Sequence, residues 1–116
     1  MLILSADAVG AALLGALIET LGYAVRFGQP SEPPEESLRR VRPQVCLVDA
    51  VDPNACSPEL LGRSRMRGIG VVIFGRSEAL ERIRALAVEH DLDTLVMPPA
   101  PGVLEATLQR AQPTAG

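Results

Sequence analysis

Five times along the chain, a short run of β-prone apolar residues is followed by a longer stretch of helical period. This alternation constrains the fold more than any single motif. The apolar runs fall at residues 2–4, 23–27, 45–48, 71–74 and 94–96. Between the first two, Leu13, Leu14, Leu17, Ile18 and Leu21 recur at i, i+1, i+4, i+5 and i+8, which predicts a helix face that Gly22 terminates. Pro34 suits the first turn of a second helix running to Val41, with Leu38 and Val41 as its apolar residues. A short third helix is expected over residues 58–66. Leu80, Ile83, Leu86 and Ala87 stripe a fourth up to about His90, and Val103, Leu104, Thr107 and Leu108 mark the last.

Strands alternating with helices need crossover connections, and crossovers make neighbouring strands parallel with helices on both faces. The unbroken apolar run Val45-Cys46-Leu47-Val48 fits a central strand buried on both sides. The more polar 23–27 run fits a strand nearer the edge. Five such units in about 110 residues predict an α/β fold, a flavodoxin-like (βα)5 doubly wound parallel sheet in strand order 2-1-3-4-5. A chain of 116 residues is one domain of ordinary size. Residues 1–111 are assigned to it, and residues 112–116 to a polar C-terminal tail.

The charge balance, 11 basic against 14 acidic residues, argues against a basic footprint for nucleic acid or an anionic membrane. No apolar stretch reaches the ~20 residues of a membrane span, and the N-terminus lacks the basic region of a signal peptide. A cytoplasmic location is the expectation. Cys46 and Cys56 are too few for a disulfide framework or a zinc site, and Cys46 reads as a small core hydrophobe. His90 has no ligand partner in spacing. Gly-x-Ser-x-Gly, Gly-x-x-x-x-Gly-Lys and Gly-x-Gly-x-x-Gly are all absent, and Gly68-Ile69-Gly70 precedes a strand rather than opening a helix.

In an open parallel sheet, function gathers outside the carboxyl ends of the strands. The residues delivered there are Ser5, Ala6 and Asp7 after the first strand and Asp49 after the third. Gly75, Arg76 and Ser77 follow the fourth, and Met97 and Pro98 the fifth.

Several runs in register across this frame resemble the receiver domains of two-component response regulators, the CheY-like family. Leu21-Gly22-Tyr23-Ala24-Val25 is similar to the family's exit from helix 1 into strand 2. Pro43-Gln44-Val45-Cys46-Leu47-Val48-Asp49 resembles the approach to its phospho-accepting aspartate. Glu59-Leu60-Leu61, Val71-Val72-Ile73-Phe74 and Leu95-Val96-Met97-Pro98 resemble the third helix, fourth strand and fifth-strand corner. The resemblance runs from Leu2 to about Ala111. It implies a cis peptide bond at Met97–Pro98 and places the phosphoacceptor position at Asp49.

Receiver chemistry needs an attacking carboxylate and strand-1 acids that hold Mg²⁺. It also needs a hydroxyl after strand 4 and a lysine after strand 5. Against that pattern the acid pair falls on Ser5 and Ala6, with only the following Asp7 acidic. The hydroxyl position falls on Gly75 and the lysine position on Met97; all 11 basic residues are arginine, so no lysine can substitute. The Met-Pro that usually follows the acceptor loop is Asp52-Pro53 here. The resemblance therefore implies an atypical or pseudo-receiver, a non-enzymatic signalling module acting through protein contacts. Two alternatives stand beside it: a working phospho-acceptor built on Asp49, and a small-molecule-binding flavodoxin-like domain.

Asp49 reads as a nucleophile, a metal ligand, or an acid that binds the amides of its own loop. Asp7 reads as a magnesium ligand or as the N-cap of helix 1. Asp52 could join a cation site or start a turn, and Arg76 with Ser77 could hold an anion. No cofactor is expected beyond a weak Mg²⁺ site on Asp7 and Asp49. The implied partners are proteins: an output domain, a histidine kinase, or a second copy docked through helix 4, strand 5 and helix 5. On helix 4, the mixed charges Glu78, Glu81, Arg82, Arg84 and Glu89 could pair across a two-fold axis.

Overall fold

A computed structural model describes residues 1–113. Its elements run β1 (Leu2–Leu4), α1 (Ala8–Thr20), β2 (Arg26–Phe27), α2 (Pro34–Val41), β3 (Val45–Asp49) and α3 (Pro58–Met66). Then come β4 (Gly70–Arg76), α4 (Leu80–His90), β5 (Asp93–Met97) and α5 (Pro101–Ala111). All four strand pairings are parallel, and the sheet order is β2-β1-β3-β4-β5. The predicted doubly wound topology is the observed one.

The two-residue side-chain period of a strand explains how one sheet feeds two cores. Leu2, Leu4, Cys46, Val48, Val71 and Ile73 face one side and pack with Leu38, Leu60, Leu61, Ile83 and Leu86, which come from α2, α3 and α4. Ile3, Val45, Leu47, Val72, Phe74 and Leu95 face the other. They pack with Leu14, Ile18, Leu104 and Leu108 of α1 and α5. β3 is buried along its whole length. Cys46 and Cys56 are both buried free thiols, and burial pushes the Cys46 thiol up to about 12. Gly70 starts β4 where the end of α5 crosses it. A Cβ there would sit 1.8 Å from the Ala111 carbonyl oxygen, so no larger residue fits.

Three expectations are corrected. The second strand is only Arg26–Phe27 rather than residues 23–27. Its ladder to β1 stops at Leu2↔Arg26, while Tyr23 and Val25 turn inward against the α1 core. The fourth strand does not close at Gly75: Gly75 and Arg76 continue the ladder opposite Val96 and Met97, so both are strand residues. The third concerns α1, whose buried stripe is Ala11, Leu14, Gly15 and Ile18; Leu13, expected inside, is 52% exposed. An amphipathic pattern fixes which face turns in, and a helix that is apolar on every side carries no such signal.

α5 ends at Ala111, where the assigned domain ends. Of the predicted 112–116 tail, residues 114–116 lie outside the described residues. Among those described, no helix is long and apolar enough to cross a membrane.

Candidate functional site

The carboxyl ends of β1, β3, β4 and β5 open onto one cleft of ≈ 680 Å³. The strand ends deliver Ser5, Asp7, Asp49, Gly75, Arg76, Ser77, Met97 and Pro98 to it, as the sheet topology predicts, whereas Ala6, expected with them, lines a separate groove beside Phe27 and Gly28. α1 adds Val9, Gly10 and Leu13, and the loop after β3 adds Val51. The Met97–Pro98 peptide bond at its β5 corner is cis.

Asp49 lies on the floor, 7% exposed, and both of its oxygens are taken. The Ser5 hydroxyl donates to Oδ2 at 2.7 Å, and the Val51 amide donates to Oδ1 at 3.1 Å. Ser5 is itself held in place, because its oxygen accepts the Asp7 amide at 3.0 Å. A buried carboxylate needs donors for its lone pairs, and here the chain supplies them from β1 and from its own loop. Sequence reasoning assigned Ser5 only as a lost acid position; its part as a donor to Asp49 depends on the β1–β3 pairing, which no local pattern reveals.

Asp7 caps α1. Its Oδ1 accepts the Gly10 amide at 3.1 Å, one of the helix's free N-terminal donors. Its other oxygen faces the Arg76 guanidinium at 3.7 Å across the mouth of the cleft. Asp52 is not part of this group. Its carboxylate accepts the Asn54 amide at 3.0 Å and holds the turn before α3. Met97 occupies the position that the resemblance gives to lysine, and Gly75 that of the hydroxyl. A Cβ on Gly75 would come 3.2 Å from the tip of the Ile83 side chain, so even a small residue there needs that side chain to give slightly.

The fold matches solved structures throughout. The receiver domain of NtrX from Brucella abortus superposes with a TM-score of 0.74 over 98% of both chains, at 14% identity. A CheY-like receiver domain protein from Methanospirillum hungatei matches with a TM-score of 0.66, at 20% identity, over 94% of this chain and 89% of that one. The chain has the receiver fold. The receiver domain of a sensor histidine kinase from Pseudomonas aeruginosa, whose structure holds magnesium in the active-site cleft, matches with a TM-score of 0.69. Its identity is 20%, over 95% of this chain and 93% of that one. Neither a family model nor a curated protein matches the sequence.

The fold therefore raises the question of a magnesium ion in this chain's own cleft. Mg²⁺ demands near-octahedral oxygen coordination. Three carboxylates line the cleft: Asp49, whose two oxygens each accept one of this chain's donors, Asp7, split between a helix cap and an arginine, and Glu78. Among the described residues no three His, Cys, Asp or Glu side chains converge as a ligand group. An ion bound here would compete with the Ser5 hydroxyl for Asp49 and with Arg76 for Asp7. The donor set does not fit a resident ion, and no chemical step is assigned to one.

Proposed function

We propose that the chain is a signalling module of receiver fold that works through protein contacts, its phosphorylation site being degenerate. The observation that supports this reading is the charge of the cleft. Asp7, Asp49 and Glu78 line it against a single cation, Arg76, which already faces Asp7.

An acyl phosphate on Asp49 would carry about −2 in place of the carboxylate's −1, adding up to about one negative charge and spreading it over three phosphoryl oxygens. The receiver fold's usual counter-charges are missing at the positions where they would act. Met97 offers a thioether where an ammonium is needed, and Gly75 has no side chain to hold a phosphoryl oxygen. Each electrostatic contact of this kind is worth about 2.7–4 kcal/mol in catalysis, and their effects are not additive. The direction is the same for each. Attack through Oδ2 would also be weakened by the hydrogen bond that this oxygen accepts from the Ser5 hydroxyl.

The partners are read as an output domain or a histidine kinase, engaged without a phosphorylation-driven change of state. Labelled acetyl phosphate with Mg²⁺ is the direct test. The expected result is no label on the chain and no spectral perturbation by Mg²⁺ up to tens of millimolar. A labelled acyl phosphate that Asp49→Asn abolishes would replace this reading with that of a working phospho-acceptor.

A further inference from the structure

α1 carries no charged residue before Glu19, so its outward face is as apolar as its inward one. Val9 is 78% exposed and Leu13 52%; Ala12 and Ala16 are exposed beside them. Residues 9, 12, 13 and 16 follow helical spacing, and this stripe runs unbroken into the exposed Glu19. Contiguous exposed apolar surface of this kind marks an interaction face. By contrast, the exposed face of α4 carries Glu81, Arg82, Arg84 and Glu89, which water solvates well.

The ends of the α1 stripe say what covers it. At the N-terminal end Arg76, 72% exposed and only 3.7 Å-paired to Asp7, presents a guanidinium with donors to spare. At the C-terminal end Glu19 presents a carboxylate that makes no ion pair among the described residues, beside the negative pole of its own helix, where its charge is unfavourable. Leu13 lies six residues from Asp7 and six from Glu19, about 9 Å along the axis in each direction. With the loose Arg76–Asp7 pair at one end, its guanidinium the more exposed partner, an acid at the other end and an apolar centre, the surface can pair with itself when turned by 180°.

We infer that this face binds a second copy of the chain. The two α1 helices lie antiparallel, with Leu13 against its counterpart near the two-fold axis and Arg76 of each copy against Glu19 of the other. Ala12 and Ala16 allow the helices to approach closely. Glu19 then also faces the positive end of the partner helix, which offsets its place at the negative end of its own. The inference rests on the reading of a contact-driven module and specifies its partner. One helix face falls short of the ~800 Å² per partner of a standard interface, so the dimer is a weak, concentration-dependent one.

Sedimentation velocity across a concentration series tests it. The wild-type chain is expected to pass from monomer to dimer. Leu13→Arg should weaken association about 30-fold, the cost of losing a central apolar anchor. Ala12→Glu, also at an exposed position, provides a second variant if that one folds poorly, with circular dichroism reporting the fold. Glu19→Arg and Arg76→Glu should each weaken the dimer, and the double exchange should restore it, whereas Arg84→Glu on α4 should leave it unchanged. A wild-type monomer throughout, or loss of the dimer in Arg84→Glu but not in Leu13→Arg, overturns the inference. Either result leaves the phosphorylation assay on Asp49 to judge the functional reading separately.

Discussion

α1 and α2 lie on opposite sides of β1, yet they are held by different physics. α1 has thirteen residues, buries Ala11, Leu14, Gly15 and Ile18 and makes no ion pair of its own. α2 has eight residues and buries only Ser37 and Leu38. It is stitched to its surroundings by charge: Arg40 pairs with Glu32 at 2.8 Å, Arg39 with Glu36 at 3.3 Å, and Arg63 of α3 with Glu35. Glu32 also accepts the buried Ser37 hydroxyl, so the Arg40–Glu32 pair belongs to a network rather than standing alone on the surface. A helix that short is marginal in water by itself and needs such anchors. The helix stabilised by burial keeps an apolar outer face free for a partner, whereas the one stabilised by ions presents only solvated charge.

The largest effect that could break this comparison lies in the α1 core. Leu14→Ala and Ile18→Ala should each cost about 2–5 kcal/mol in urea unfolding, because both side chains are fully buried. Leu13→Ala, exposed, should cost within about 0.5 kcal/mol. Equal losses at Leu13 and Leu14 would mean that the helix turns a different face to the sheet. A smaller effect is expected at the cap. Asp7→Ala should lower stability by about 1 kcal/mol, and Asp7→Asn should recover most of it, since either side chain can accept the Gly10 amide. Thermal denaturation of the two variants separates capping from the Arg76 contact, which asparagine does not preserve as an ion pair.

The smallest effect belongs to α2 and appears only in acid. Hydrogen bonds from Arg40 first and Ser37 second hold the Glu32 carboxyl down to about 2, from an ordinary value of 4.5. A carboxyl lowered by folding adds stability that is fully present above its unfolded value and fades as pH falls through its folded one. Stability should therefore decline in part between about pH 4.5 and 2 on account of this group. Glu32→Gln should flatten that limb, and Ser37→Ala should move it toward higher pH. Acid titration followed by circular dichroism compares the three chains; an identical limb in all of them would remove the network from the account of α2.

Much of the architecture could be read in one dimension because strands and helices differ in period. The apolar run ending at Asp49 announced a central strand, and the bounds of α2 and α3 follow Pro34 and Pro58, residues suited to a first helical turn. The second strand was read too long. Tyr23 and Val25 are β-prone, and local propensity cannot register that the strand ladder to β1 ends at Arg26, with only the Met1 amine reaching on to the Ala24 carbonyl. Gly75 looked like a stop, as glycine within a strand pattern does, but pairing with β5 carries the strand past it.

At the site, the residue types were legible and their relationships were not. Asp49, Ser5, Asp7, Gly75, Arg76 and Met97 could all be assigned to one end of the sheet from the order of the strands alone, because parallel crossover topology sends every strand's carboxyl end to the same edge. The absence of lysine is likewise a property of composition, independent of any packing. That Ser5 donates to Asp49, that Asp52 folds back on its own turn, and that Leu13 faces outward were decided only in three dimensions. Each depends on distances between segments far apart in sequence, or on the rotation of a helix with no polar side to orient it. Periodicity along a chain encodes which elements form and which edge they share; side-chain partners across elements are set by packing, which periodicity does not contain.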